Sequence, residues 1–537
     1  MEESCGVFGA WAPGRSVARL AFDGLFALQH RGQESAGMAV SDGSTITVVK
    51  DMGLVTTVFD ERSMECLPGE LVVGHTRYST AGPRDWKYAQ PVYRSSGLAG
   101  FALAHNGNLT NTRELSERAG FNGPLAVSDT ELLAELLEQE MDTLERSGQP
   151  ATLSAALSVV LRQIEGAFSL VLMDVSHLYA IRDPHGFRPL CLGVLEPHEG
   201  DNDDGTTESS HRFFLDSVSV RSDGDSSSTW HGRDLQGHAS EVEKYTDRGG
   251  IKDGNLGWVV ASETPALDIV GARFVREIDP GEMVVVDDTG LHSFRLFDEE
   301  EVDPRLCIFE FVYFARPDAI LNGSEVHGAR RRMGELLALQ TPSDADMVMG
   351  VPDSGIPAAE GFARASGIPY GQGLVKNRYI GRTFISPGQQ ARRVGVLRKL
   401  NPLKQSIKGK KLVVVDDSIV RGTTTKAIVE MLRSAGAAQV HLRISSPPFV
   451  WPCFYGIDTP SKSELLAANM TTNEIASYLD ADSLEYLSLD NLLAALPPGG
   501  YCTACLTGHY PVKVDSALSK TSKDDQLGRY ATYPKGK

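Results

Sequence analysis

Three groups of residues in this 537-residue chain have the types and spacing to do chemistry. The first is the run LVVVDDSIVRGTTT at 412–425. Leu412–Val415 reads as a buried strand that ends in two adjacent acids, Asp416 and Asp417. The loop Ser418–Thr424, which includes Arg421 and Gly422, then opens a helix. Backbone N–H groups at a helix N-terminus form an anion site, helped by the helix dipole. Thr423 and Thr424 add hydroxyl donors. The two acids could accept hydrogen bonds from a sugar diol, directly or through Mg²⁺. A turn with solvated acids is the plainer reading of the pair alone. The second group is Cys5 in Cys5-Gly6-Val7-Phe8-Gly9. A thiol with a nearby base is a nucleophile, whereas most free cysteines are small buried packing residues. The third is Cys502-Thr503-Ala504-Cys505, a spacing open to zinc, to redox chemistry or to chance. Seven cysteines in so long a chain argue against a disulfide scaffold and favour catalytic or metal roles.

The elements that must position these groups divide the chain. Residues 5 to about 295 hold short β-type runs with Gly-containing turns, such as Leu71–Gly74, Ser169–Met173 and Met283–Val286. Ser16–Gln29 and Ser128–Arg146 read as helices, with Ser128 as cap and Glu131 as its capping-box partner. An α+β or layered αββα domain is expected over 5–297. The 30 residues of 201–230 carry eight Ser and six Asp. They lack apolar surface to offset ordering entropy and read as an exposed or disordered insertion; Trp258–Ser262 resumes the domain. From about 298 to 480, strand-like Met347–Val351 and Leu412–Val415 lead into loops and then helical Ala358–Ser366 and Thr423–Ala435. That repetition implies a parallel sheet with ligands at the C-terminal strand ends. Residues 481–537 read as a small appendage with a basic tail.

Composition bounds the function. Apolar residues are 41% and charged residues 23%, as in ordinary globular proteins. With 52 basic and 70 acidic residues the net charge is −18, which argues against a nucleic-acid binder. No apolar run approaches the ~20 residues of a membrane span. The acids at the start of the chain do not suit a secretory signal, so a cytoplasmic protein is expected.

The string at 412–425 resembles the fingerprint of type I phosphoribosyltransferases, which bind phosphoribosyl pyrophosphate (PRPP). Val351-Pro352-Asp353-Ser354-Gly355 resembles the loop that holds the pyrophosphate, which makes Ser354 a Mg²⁺ neighbour beside Asp416 and Asp417. Lys376–Lys399 carries Lys376, Arg378, Arg382, Arg392, Arg393, Arg398 and Lys399, and its KNRYIGRTF core resembles a mobile lid; a solvated basic loop is the plainer and less favoured reading of the charges alone. Closure of such a lid would exclude water from an activated sugar.

Gln29-His30-Arg31-Gly32-Gln33-Glu34-Ser35-Ala36-Gly37, Gly74-His75-Thr76-Arg77-Tyr78-Ser79-Thr80 and Ala104-His105-Asn106-Gly107-Asn108-Leu109 follow Cys5. Together they resemble the class II glutamine amidotransferases, whose nucleophile is an N-terminal residue. The reason for that arrangement is physical: a free α-amine has a pKa of about 7.7–8.0, so one residue supplies both thiol and base. The resemblance assigns the oxyanion donors to the Asn106 side chain and the Gly107 N–H. It assigns the glutamine α-carboxylate to Arg77 and the α-ammonium to Asp129, and leaves His30 and His105 structural roles. Met1-Glu2-Glu3-Ser4 precede Cys5, so a four-residue propeptide is expected.

Cys307, Cys453, Cys502 and Cys505 match the ligands of the cluster-containing branch of the PRPP amidotransferases. The resemblance therefore implies a [4Fe–4S] cluster as well as Mg²⁺ in each subunit. Four thiolates also suit zinc chemically. Cys66 and Cys191 match nothing and read as packing residues. The whole pattern implies an N-terminal-nucleophile αββα sandwich followed by a type I phosphoribosyltransferase sheet. It also implies glutamine and PRPP as substrates, purine nucleotides as feedback inhibitors, and a homotetramer or homodimer. A ligand-sensing regulator of the PRPP fold would lack the nucleophile or the pyrophosphate loop. A glucosamine-phosphate synthase would lack the acid-pair string.

Overall fold

The computed structural model describes residues 5–78, 86–95, 100–120, 128–196, 256–377, 399–457, 459 and 461–514. Residues 1–4, the stretch 201–230, Arg382 and nearly all of the basic stretch from Lys376 to Lys399 lie outside them.

The first half is built on two antiparallel sheets. One has seven strands in the spatial order Arg273–Glu277, Cys191–Leu195, Gly257–Ala261, Gly6–Trp11, Leu71–Arg77, Ser35–Ser41 and Ile46–Met52. The other has six: Gly290–Arg295, Glu282–Asp287, Leu178–Arg182, Gly166–Met173, Phe101–Leu109 and Val92–Arg94. Strand Gly6–Trp11 is buried along its length because both of its faces are covered. Alternation sends Phe8 and Ala10 into a core with helices Val17–Ala27 and Thr264–Ile269, and Val7 and Trp11 into the core between the sheets. Helices Asp129–Arg146 and Leu153–Val160 close a third core over the second sheet with Phe168, Leu170 and Leu172. The layers are therefore α, β, β, α.

Ser128 caps its helix, its hydroxyl accepting from the Glu131 N–H at 3.2 Å. The expected reciprocal arm of the capping box does not form. The Glu131 carboxylate instead accepts from the Arg94 guanidinium at 2.6 Å, a charge-assisted bond stronger than one from a neutral N–H.

The second half carries a four-stranded, fully parallel sheet in the order Met347–Gly350, Lys411–Asp416, Gln439–Ile444 and Ser483–Tyr486. Val413 and Val415 face a core with Phe311, Met333 and Phe362, while Leu412 and Val414 face one with Ile428, Val429 and Leu432. Apolar residues on both faces are what a doubly covered parallel strand requires. The fourth strand, Ser483–Tyr486, lies beyond the expected boundary at 480, so the sheet extends into the segment read as an appendage. Leu492, Leu496, Tyr501, Cys505 and Leu506 share the core of Phe309 and Phe311. Among the described residues no helix is long and apolar enough to cross a membrane.

Candidate active site

Cys5 immediately precedes the central strand Gly6–Trp11, and the neighbouring strand pairs Gly6 with Thr76. This register brings the Tyr78 carbonyl to 3.7 Å from Cys5 Sγ. Burial pushes the thiol pKa up, and the Tyr78 backbone and the Arg77 guanidinium only partly oppose it. A thiol held in its neutral form needs a base to become a nucleophile. Arg77 is buried beside it, with Nη1 4.0 Å from Glu34 and the guanidinium 5.7 Å from the Tyr88 ring centroid.

Asn106 and Gly107 lie mid-strand in Phe101–Leu109, opposite Ser169 and Phe168. Asn106 is 1% exposed, and neither its Nδ2 nor its Oδ1 has a hydrogen-bond partner among the described residues. Leaving a buried amide unmet costs about 1–3 kcal/mol, a cost that an incoming ligand oxygen would remove. Gly107 adopts φ +154°, and a Cβ there would sit 2.0 Å from the Ala167 carbonyl oxygen, so the position admits only glycine.

Asp129 opens the long helix, its carboxylate accepting from the N–H groups of Thr130 at 2.8 Å and Leu109 at 3.4 Å, with His105 Nδ1 3.6 Å away. Burial alone would raise this carboxyl, but His105 and the two N–H groups outweigh it and hold it below its ordinary value. Burial also drives His75 down to about 3, so its ring stays neutral. His30 Nε2 sits 2.8 Å from Glu263, and His105 Nε2 lies 3.3 Å from the Ala167 carbonyl.

The acid pair occupies the C-terminal end of Lys411–Asp416, next to the end of Met347–Gly350. Both carboxyls are buried, and burial together with Asp417 pushes Asp416 well up. Asp417 accepts from the hydroxyls of Ser354 and Ser418. Ser354, Asp416 and Asp417 are thus brought together, although 354 and 416 come from different strand ends. Gly422 has φ +71° and precedes helix Thr423–Ser434, which begins at the expected residue, so Thr423 and Thr424 belong to the helix and not to the loop. Thr423 and Thr424 form the first turn, and Arg421 lies 3.6 Å from Glu464. Lys376 pairs with Asp353 of the Val351–Gly355 loop.

The four cysteines read as a set also converge. Cys307 and Cys502 face each other across a short parallel bridge, Cys453 acts electrostatically on both, and all three act on Cys505. Burial pushes the Cys307 thiol up to about 12. Of the two leftover cysteines, Cys191 is buried, but Cys66 is exposed at the end of a short helix and is not a packing residue.

Residues that sequence reasoning missed link the two halves. Arg31, 1% exposed, pairs with Glu263 and, through Nη2 at 2.5 Å, with Glu310, which is 0% exposed. Arg188 donates to the same Glu310 at 3.2 Å and to the Tyr455 carbonyl at 2.7 Å. Tyr313, in the turn Glu310–Phe314, has its hydroxyl pKa raised first by burial, then by Asp417, Asp416 and Tyr78. Its hydroxyl thus feels charges from both halves, Asp416 and Asp417 of one and Tyr78 of the other. Only the motif arginine of Gln29-His30-Arg31-Gly32 gave a signal for any of these.

A phosphoribosyl transferase domain profile matches residues 322–445, and a glutamine amidotransferase domain profile matches residues 75–199. An amidophosphoribosyltransferase of Mycobacterium tuberculosis is 45% identical over 547 residues, covering 98% of this chain and 90% of its own. That of Synechococcus elongatus is 44% identical, over 97% of this chain and 94% of its own. Among solved structures, a glutamine PRPP amidotransferase from Bacillus subtilis complexed with ADP and GMP superposes with a TM-score of 0.76 at 38% identity, over 95% of this chain and 98% of that one. With near-complete coverage at such identity, over a fold that carries a half-buried thiol, an unmet buried amide and an acid pair at a parallel strand end, the chain belongs to the amidophosphoribosyltransferase family.

Proposed function

We propose that this chain catalyses the glutamine-dependent amination of 5-phosphoribosyl 1-pyrophosphate, giving 5-phosphoribosylamine, glutamate and pyrophosphate, the first step of de novo purine synthesis. The observation that carries this reading is the pairing, within one chain, of the Asn106 amide left unmet on the Cys5 side with the Ser354–Asp416–Asp417 group on the other.

Cys5 Sγ attacks the glutamine amide carbon. The Cys5 α-amine, freed once residues 1–4 are removed, takes the thiol proton and delivers it to the leaving nitrogen. Asn106 Nδ2 and the Gly107 N–H hold the oxyanion, where preset donors act most strongly. Arg77 binds the α-carboxylate and Asp129, kept ionised by its neighbours, the α-ammonium. Ammonia departs, and water cleaves the thioester to glutamate. Ammonia then attacks C1 of PRPP as pyrophosphate leaves. Direct transfer past Tyr313 would keep the ammonia unprotonated.

Ser354, Asp416 and Asp417 offer oxygen donors, which suit Mg²⁺, and the ion when bound acts as a Lewis acid on the leaving pyrophosphate. Ser418, Arg421, Gly422, Thr423 and Thr424 would cradle the 5-phosphate. The same cradle would take the phosphate of an inhibitory purine nucleotide. Lys376 and Arg382 would close over the substrate.

Cys307, Cys453, Cys502 and Cys505 are an all-sulfur donor set suited to iron–sulfur ligation. The match of these four positions to the cluster-containing branch of the family is what favours iron over zinc in this reading. The cluster's role in this reading is structural or oxygen-sensing. A cytoplasmic homodimer or homotetramer completes the proposal.

The test is phosphoribosylamine formation with glutamine and then with an ammonium salt. Cys5→Ser is expected to abolish the glutamine-dependent rate and keep the ammonia-dependent one. Loss of both rates would break the two-site reading.

A further inference from the structure

The oxyanion-side strand of the first half is backed by a loop from the second. Gly456 lies in the segment that carries Cys453, and a Cβ at Gly456 would come 2.9 Å from the Gly107 carbonyl carbon, 3.0 Å from its oxygen and 3.1 Å from Arg188 Nη2. Gly456 also has φ +97°, a conformation that side chains disfavour. One residue along the strand, Asn108 Nδ2 donates to the Phe454 carbonyl at 2.9 Å, across 346 residues of sequence. Arg188, fully buried, grips the loop from the other side: its Nε and Nη2 donate to the Tyr455 carbonyl at 3.2 and 2.7 Å, and its Nη1 is fixed by Glu310. The Tyr455 ring stacks on Phe187 at 4.5 Å. The loop start is tied by the Tyr455 N–H, which donates to Cys453 Sγ at 3.4 Å, and by the Thr459 hydroxyl, which accepts from the Cys453 N–H at 2.8 Å.

On its other side the Gly107 backbone has the Ala167 carbonyl and the His105 ring, which would lie 2.0 and 2.8 Å from an added Cβ. Gly107 is therefore tightly packed in its own sheet and against the loop. Gly456 rests on the Gly107 carbonyl, the peptide that follows the Gly107 N–H, so a displacement of the loop reaches that N–H through the Gly107 backbone.

We propose that the loop Phe454-Tyr455-Gly456 is the positioning wall of the oxyanion hole, with Gly456 in contact with Gly107 and Arg188 holding the loop in place. Gly456, Asn108 and Arg188 are positioning residues for glutamine hydrolysis; they act through Gly107 and touch no reacting atom. The arrangement makes the amide-splitting half dependent on a cysteine-bearing loop of the other half. This inference rests on the reading of Asn106 and Gly107 as oxyanion donors.

The geometry makes a selective prediction. A methyl at Gly456 meets backbone, which cannot rotate away, so the contact with Gly107 can be relieved only by a backbone shift on one side of it. Oxyanion contacts act in the transition state, so their disturbance lowers kcat and leaves KM for glutamine alone. Misplacement near 1 Å costs up to about 100-fold.

The experiment compares Gly456→Ala and Asn108→Ala with the wild type and with Asn106→Ala. Steady-state rates are measured with glutamine and with ammonium salt. Gly456→Ala is expected to lose roughly tenfold or more of the glutamine kcat, with KM for glutamine and the ammonia-dependent rate unchanged. Asn108→Ala, which adds no bulk, is expected to show the same split to a smaller degree and covers the case in which Gly456→Ala does not fold. An equal fall in both rates, a rise in KM alone, or no change in either variant overturns the proposal. If Asn106→Ala keeps the full glutamine kcat, the underlying oxyanion reading fails instead.

Discussion

The two reaction centres are built in opposite ways. The Cys5 centre lies at the ends and middles of central antiparallel strands, so its groups are held by sheet register before any ligand arrives: Gly6 opposite Thr76, Asn106 opposite Ser169. The acid-pair centre sits on loops beyond the ends of parallel strands, where hydroxyls and carboxyls hold one another: Ser354 and Ser418 both on Asp417, Lys376 on Asp353. The first geometry suits a reaction whose charge develops at one fixed oxygen. The second suits a large, multiply charged substrate that must enter, be covered and leave. In the first, an unmet polar group waits in the interior; in the second, the groups satisfy each other and must exchange partners on binding.

Breaking each centre in turn should expose this difference. Asp417→Asn removes the carboxylate that organises Ser354 and Ser418. It is expected to lower both the glutamine- and the ammonia-dependent rates, by roughly 100-fold or more if the carboxylate supplies about 3 kcal/mol at the transition state. Retention of the ammonia rate would place the acid pair outside the phosphoribosyl chemistry. Asn106→Ala strikes the preset centre alone. Loss of one oxyanion donor is expected to cost about 10²–10³ in glutamine kcat, with KM for glutamine held and the ammonia rate intact. A change confined to KM would assign Asn106 to ground-state binding.

The sequence announced these centres unevenly. Cys5, the Asn106-Gly107 pair and Asp416-Asp417 are each contiguous with their own supports, so local strings expose them. The layers were legible from near-continuous apolar runs such as Ser169–Met173 and Leu412–Val415, which suit strands covered on both faces. The strand Ser483–Tyr486 was missed because four residues, two of them polar, carry too little pattern. The joint between the halves was invisible for a different reason. Arg31 and Glu310 are 279 residues apart, and a buried charge looks like any surface charge until its partner is placed. Tyr313 likewise gains meaning only from the charges of both halves that reach it. The capping box failed because Arg94, 37 residues away, offered Glu131 a better partner.

Between the two centres lies the charged joint, and its energetics sharpen the contrast. Arg31→Met leaves Glu263 and Glu310 buried without their shared cation, the case in which loss of one partner costs about 3–5 kcal/mol. Urea unfolding should show a loss of this size. For comparison, removing Arg113 from its exposed pair with Glu117 should cost less than about 0.5 kcal/mol. A joint no more costly to break than that surface pair would mean that each half stands without it.

The same joint should respond to acid with a fixed sign. Burial would raise the Glu263 carboxyl, but Arg31 and His30 together hold it well below the ordinary glutamate value. A carboxylate lowered on folding contributes stability that is fully present above its unfolded pKa of about 4.3. That contribution is lost as pH falls from there through the folded value. The unfolded state then binds the proton more readily than the folded one, so stability declines with falling pH. Denaturation midpoints followed from pH 7 downward should stay level until about pH 5 and then fall. In Glu263→Gln, which keeps the shape but cannot ionise, the neutral-pH midpoint should start lower and the acid limb should be shallower. An acid limb unchanged in that variant would place the pH sensitivity on other carboxylates, with the Arg276–Glu282 pair at 2.6 Å the next to substitute.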